Sequence, residues 1–296
     1  MLRATTFGNT LRSANRSLMI VGSISSLFLG TLVVSSAPHV AGASTLHSGT
    51  VDVLYAGSFL DVMQQQIDPA FHRATGYTVS GFSDGSTSLA SEIKGRTQVA
   101  DVFISASPTA DTTLIGAKNG NWVTTYDEFG KSPLVLGYDP SSKFASDLKT
   151  KPWYNVVDLP GFRLGRTDPA TDPKGVLAVD ALNAAAAKFH VPALKPLATT
   201  TSNIFPETTL VGRLQAGQMA AGFFYAVEAS AAHIKTVPLT GTDLAAVYTV
   251  AVINRAPHAA AARAFVAYLL SAPGRVLLAR DGVTAIAPPK VVGNAG

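Results

Sequence analysis

The chain has 296 residues, 47% of them apolar, 14% charged and 8% aromatic, which is enough apolar material for a sizeable core and excludes an intrinsically disordered chain. Its formal charge of +4 is concentrated at one end: Arg3, Arg12 and Arg16 lie in the first 43 residues, where there is no acid, and the remainder carries 20 basic against 19 acidic side chains. A near-neutral body has no electrostatic footprint for nucleic acid or anionic lipid, and zero cysteines exclude a disulfide scaffold, a cysteine-ligated metal, a thiol nucleophile and a lipidated N-terminal cysteine.

Three arginines, an apolar run from Leu18 to Val34 and the small-x-small string Ala41-Gly42-Ala43 read as a cleaved secretory signal over residues 1–43. An uncleaved anchor is the competing reading. Either way the rest of the chain is expected to work outside the cytoplasm, in a periplasm or at the cell surface.

Val51 to Ala56 reads as a strand, Gly57-Ser58 as a tight turn, and Leu60, Met63, Ile67 and Phe71 as the inner stripe of a helix. The unit repeats, with a strand from Tyr77 to Phe82, a turn Ser83 to Ser86 and a helix carrying Leu89 and Ile93 and closed by Gly95. A third strand follows at Asp101–Ser105. Three such units predict a parallel sheet covered by helices, with ligands at the carboxyl ends of its strands.

Further strands are expected at Ser132–Tyr138, Phe162–Gly165, Ala221–Tyr225 and Val247–Asn254. Helices are expected from Val176 to Phe189, from Pro206-Glu207 to Gly217, and from Pro257 with the stripe Ala261, Phe265, Tyr268, Leu269. The proline-rich middle suggests a second lobe over 136–248, with residues 44–135 and 249–296 forming the first lobe and the two crossings acting as a hinge.

The chain has no G-x-S-x-G elbow, Walker loop, dinucleotide fingerprint or H-E-x-x-H, and its six histidines are scattered. The sequence therefore asks for no cofactor and no metal site. What recurs is a strand end followed by a small hydroxyl residue at a helix mouth, at Gly57-Ser58 and Gly85-Ser86. Each serine either caps its helix or donates, with the free N–H groups of the first turn, to an anion. The second half offers Asp172-Pro-Lys-Gly175, with amides at Lys174 and Gly175 expected to be unpaired, and Thr208 at another helix start. Tyr225, ending a strand, is either a core residue or a neutral donor. Glu228 reads as a solvated helix residue. Such a cage of fixed neutral donors suits a small dianion.

The strings Tyr55-Ala-Gly-Ser-Phe59, Asp84-Gly-Ser-Thr87 and Ala100-Asp-Val-Phe-Ile-Ser-Ala106 resemble, in order, segments of the periplasmic molybdate/tungstate-binding proteins of ABC importers. Arg166 to Gly175 is similar to their D-P-x-G loop, and Pro206 to Gly217 with Tyr225 to their second-lobe helix and tyrosine. The resemblance implies a two-lobed α/β fold of the type II periplasmic-binding-protein class, each lobe a mainly parallel sheet flanked by helices. It implies a monomer that binds molybdate or tungstate between its lobes, performs no chemistry, and delivers the anion to an importer permease. Nucleic acid is not an expected partner, and the membrane is reached only through the permease or an uncleaved signal.

The family's ligands fall on Ser58 and Ser86, the backbone around Lys174, Thr208 and Tyr225. One branch also brings carboxylates to the metal centre of the oxyanion. Asp172 matches the loop acid of that branch, but Phe224 stands before the tyrosine where a glutamate is expected, which favours a tetrahedral dianion held through its oxygens. Sulfate or another small anion is the alternative ligand, and a secreted serine hydrolase, with a histidine beside Ser58 or Ser86, the alternative class. A ferric ligand would ask for a tyrosine pair, and no two tyrosines are adjacent in sequence.

Overall fold

The computed structural model describes residues 47–293, so the signal segment lies outside the described residues. Strand β1 (Thr50–Ala56) is almost wholly buried because it sits between β2 (Thr78–Asp84) and β3 (Val102–Ser105), both parallel to it, with helices over the faces. Strand β2 is the sheet edge and is correspondingly polar and exposed. Four consecutive helical segments, Gly57–Phe59, Leu60–Val62, Met63–Ile67 and Asp68–Thr75, return the chain from β1, burying Met63, Ile67 and Phe71 as their spacing predicts.

Strand β4 (Thr125–Tyr138) is the spine of the molecule. Its first half pairs antiparallel with β8 (Ala245–Val252) and β9 (Thr284–Gly293); its second half pairs antiparallel with β6 (Ala221–Tyr225) and β7 (Lys235–Pro238). Strand β8 also joins β3, and β5 (Leu164–Gly165) lies parallel to β6, giving the order β2-β1-β3-β8-β4-β6-β5. The α/β architecture matches the expectation, with a sheet that is mixed: parallel at β2-β1-β3 and β5-β6, antiparallel where the chain crosses through β4 and β8. Within β4 the Leu134 amide donates to the Leu244 carbonyl, just before β8, at 2.8 Å.

Two departures have simple causes. β4 begins seven residues before the expected Ser132, because Asp127, Glu128 and Lys131 break the apolar pattern yet still pair in the ladder. β9 carries Pro288 and Pro289, which argue against a strand, but they fall between its two paired ends, at Thr284–Ala285 and Lys290–Gly293, where no ladder amide is required.

Candidate functional site

Ala56 and Asp84 are register partners in β1 and β2, so the turns Gly57-Ser58 and Gly85-Ser86 leave neighbouring strands at one edge. Both serines are buried. The Ser86 Oγ accepts the amide of Ala106 at 3.0 Å, just beyond β3, which leaves its own proton to donate. The Ser58 Oγ lies 2.9 Å from the hydroxyl of Tyr248, a β8 residue that register brings to the same edge. The β-then-α pattern thus gathers three strand ends into one polar rim.

The second half closes against that rim. A Cβ on Gly57 would run into the Glu207 carboxylate, and one on Gly85 into the Thr171 carbonyl and Asp172. Only glycine permits these approaches. Asp172 caps the helix Pro173–Lys188, with Pro173 at its first turn: its Oδ1 accepts the Lys174 amide at 2.8 Å, and its carbonyl accepts the Gly175 amide at 3.0 Å. This corrects the expectation that the Lys174 and Gly175 amides are unpaired; an aspartate N-cap satisfies them first.

The Lys174 side chain, with no exposure, is surrounded by acid. Its ammonium donates to both oxygens of Glu228 at 2.8 and 2.7 Å and lies 2.9 Å from Glu207 Oε1, off the hydrogen-bonding direction. Glu228 is only 4% exposed, which corrects its reading as a solvated residue. It lies in the first turn of the helix Ala226–Ala231, which follows β6 directly, and its Oε2 also accepts the Tyr225 amide at 3.3 Å, so it points back toward the strand end. Tyr225 is fully buried, and neither its hydroxyl nor Asp172 Oδ2 has a hydrogen-bond partner among the described residues.

The cleft is therefore not a cage of neutral donors. Three carboxylates (Asp172, Glu207, Glu228) face one ammonium. Burial raises the Asp172 pKa well above the usual carboxylate range and Glu207 adds to that, while Lys174 opposes. Burial pushes Glu228 to about 7 against the pull of Lys174. For Lys174 burial works downward, but the three acids together raise it, so it stays charged. Burial and the acids raise both Tyr225 and Tyr248, keeping two protonated phenols.

Among the expected residues, Gly57, Ser58, Gly85, Ser86, Asp172, Lys174 and Tyr225 come together. Thr208 is exposed, lining a small cavity of about 80 Å³ with Ser58 and Glu228. A second cavity, about 200 Å³, is lined by Gly85, Thr167, Asp172 and Glu207. Sequence reasoning missed Glu207, Glu228 and Tyr248. An acid in the first turn of a helix, three residues past a strand end or directly after a proline, was the available signal for the two glutamates. Tyr225 and Tyr248 meet edge-on with ring centroids 6.1 Å apart, a clustering that adjacency in sequence did not reveal. Lys174 nevertheless already occupies the space between carboxylates that a metal cation would take.

Residues 51–284 match the family model described as bacterial extracellular solute-binding protein. An uncharacterized solute-binding protein of Halobacterium salinarum is 29% identical over 265 residues, 80% of this chain and 85% of its own. The molybdate/tungstate-binding protein WtpA of Pyrococcus abyssi is 23% identical over 226 residues, covering 59% of this chain and 66% of its own. The fold is shared with the periplasmic molybdate-binding protein of Azotobacter vinelandii, at a TM-score of 0.61 and 18% identity over 79% of this chain and 98% of that one.

Proposed function

We infer, because the chain belongs to the bacterial extracellular solute-binding protein family, that it captures a tetrahedral oxyanion, molybdate or tungstate, and delivers it to the permease of an ABC importer. The observation that carries this reading is the pair of buried serines at adjacent strand ends, closed over by Asp172, Lys174 and Tyr225. The order of motifs along the chain and the molybdate-binding relatives support it.

In this reading the first lobe, 44–135 and 249–296, supplies Ser58 and Ser86, and the second, 136–248, supplies Tyr225 and the Asp172–Lys174 loop. The anion is held through its oxygens, with the serine and phenol protons as donors. The β4 and β8 crossings act as the hinge. Ligand favours the closed form only through the contacts it makes there and not in the open form. The closed form is what the permease recognises, and residues 1–43 direct the chain to a periplasmic or cell-surface location.

A hydrolase would need a histidine beside one of the serines; their partners here are Tyr248 and the Ala106 amide. The test is titration calorimetry of the purified protein with molybdate, tungstate, sulfate, phosphate and ferric citrate. Tight one-to-one binding of the first two, with weak or no sulfate heat, is the expected result. Binding of sulfate alone, or of ferric citrate alone, would replace the assignment.

A further inference from the structure

Resting on the oxyanion reading, the inventory of charge in the cleft sets a condition on how a dianion enters. Asp172, Glu207 and Glu228 carry three carboxylates against the single ammonium of Lys174, and every one of these side chains is buried. A dianion added to three ionised acids would meet strong like-charge repulsion where water cannot screen it. The ammonium is already committed to Glu228 and Glu207.

One atom is placed to resolve the conflict. Asp172 Oδ1 is occupied by its helix-capping bond to the Lys174 amide, while Oδ2 is buried without any donor. A buried carboxylate oxygen with no donor is costly, whereas the protonated oxygen is a donor that needs only an acceptor. The ligand is an acceptor. We propose that the cleft takes up its dianion together with a proton, drawn from solvent and carried on Asp172 Oδ2, so that this carboxyl donates a hydrogen bond to the anion.

The groups facing that atom from neighbouring elements are Lys174 on the same helix, Glu207 at the start of the Glu207–Gln215 helix, Glu228 on the Ala226–Ala231 helix, and the phenols of Tyr225 and Tyr248. Asp84 and Asp168 line the cavity beside Asp172 and Glu207, and Asp61 lines the one beside Glu228. All the acids among them act in one direction, favouring the protonated carboxyl once the anion is present. A protonated Asp172 also gives the site a reason to reject hydrogen phosphate, since only in its ionised form can the same oxygen accept the proton such a ligand carries.

The experiment is calorimetry with sodium molybdate, which bears no proton of its own at neutral pH, using the full chain in PIPES and in Tris at each of several pH values. The difference in heat between buffers counts protons. Net uptake is expected above the pH at which Asp172 ionises in the empty cleft, with the affinity there falling about tenfold per pH unit. D172N keeps the helix cap and offers an amide donor that needs no added proton, so its uptake and its pH dependence are both lost. Molybdate binding with no proton exchange at any pH up to the alkaline end of the series, or uptake unchanged in D172N, overturns this inference and leaves the oxyanion reading standing. Proton release on molybdate binding likewise overturns this inference alone, whereas the absence of binding by molybdate and tungstate at every pH overturns both.

Discussion

The two sides of the cleft are built on opposite principles. On the β1–β2 side, each hydroxyl sits at a strand end and takes a partner within the same sheet: Ser86 the Ala106 amide, Ser58 the Tyr248 hydroxyl. On the other side, Glu207 and Glu228 converge from two other helices on the Lys174 ammonium, and Asp172 Oδ2, the Tyr225 hydroxyl, Glu207 Oε1 and Thr167 Oγ1 are buried without hydrogen-bond partners among the described residues. In the first arrangement both serines already have a hydrogen-bond partner within the protein. The second gathers three acids around one ammonium and is where occupancy has most to change.

Removing the central cation should break the second side hardest. Lys174→Met leaves Glu207 and Glu228 buried and uncompensated, and a loss of about 3–5 kcal/mol in chemical denaturation is expected; adding Glu228→Gln should recover part of it. Should K174M alone be as stable as the parent, the acids are not held by that ammonium. On the serine side the expected effect is smaller and falls on binding. Ser58→Ala removes one hydrogen bond to a charged ligand, roughly 1.5–3 kcal/mol, so calorimetry should read a molybdate affinity weakened by about one to two orders of magnitude.

Gly57→Ala tests the contact between the two sides. Its Cβ would strike the Glu207 carboxylate, and an overpacking cost of roughly 1–3 kcal/mol should appear as weaker binding and a more open shape in small-angle scattering. An unaltered affinity would mean that the flexible Glu207 side chain yields freely.

The smallest effect lies away from the cleft. His258, exposed beside the helix Ala259–Leu270, bonds Asp101 through its Nδ1 at 2.8 Å, and that bond together with the charges of Asp101 and Asp52 raises its pKa above 6.5. A raised histidine stabilises the fold fully below its unfolded value and loses that contribution as pH rises through its folded value. The melting temperature of the parent should therefore fall slightly more than that of His258→Gln over that range; equal pH profiles would remove the pairing from any role in stability.

The serine side was legible because its signals are local. A short apolar run, a glycine and a hydroxyl residue before a stripe spaced by three and four specify strand, turn and helix within a dozen residues, and β1, β3, β6 and the helix Pro173–Lys188 lie within a few residues of their expected bounds. The acid side was misread for a corresponding reason. Glu228 looks like any surface acid of a short helix until Lys174, 54 residues earlier, is placed beside it. The Lys174 and Gly175 amides look free until the Asp172 cap is seen to take them. Tyr225 and Tyr248 are neighbours only because β6 and β8 flank β4 from opposite sides of its length.

The sequence by itself determined the strands and helices that carry the serine turns, those turns themselves and the family resemblance, since periodicity, capping and turn chemistry act over a few residues. Only the tertiary structure decided the charge of the cleft. Whether an acid is solvated or buried against a lysine depends on which helices pack together, and burial then moves its proton affinity by more than any neighbour in sequence can.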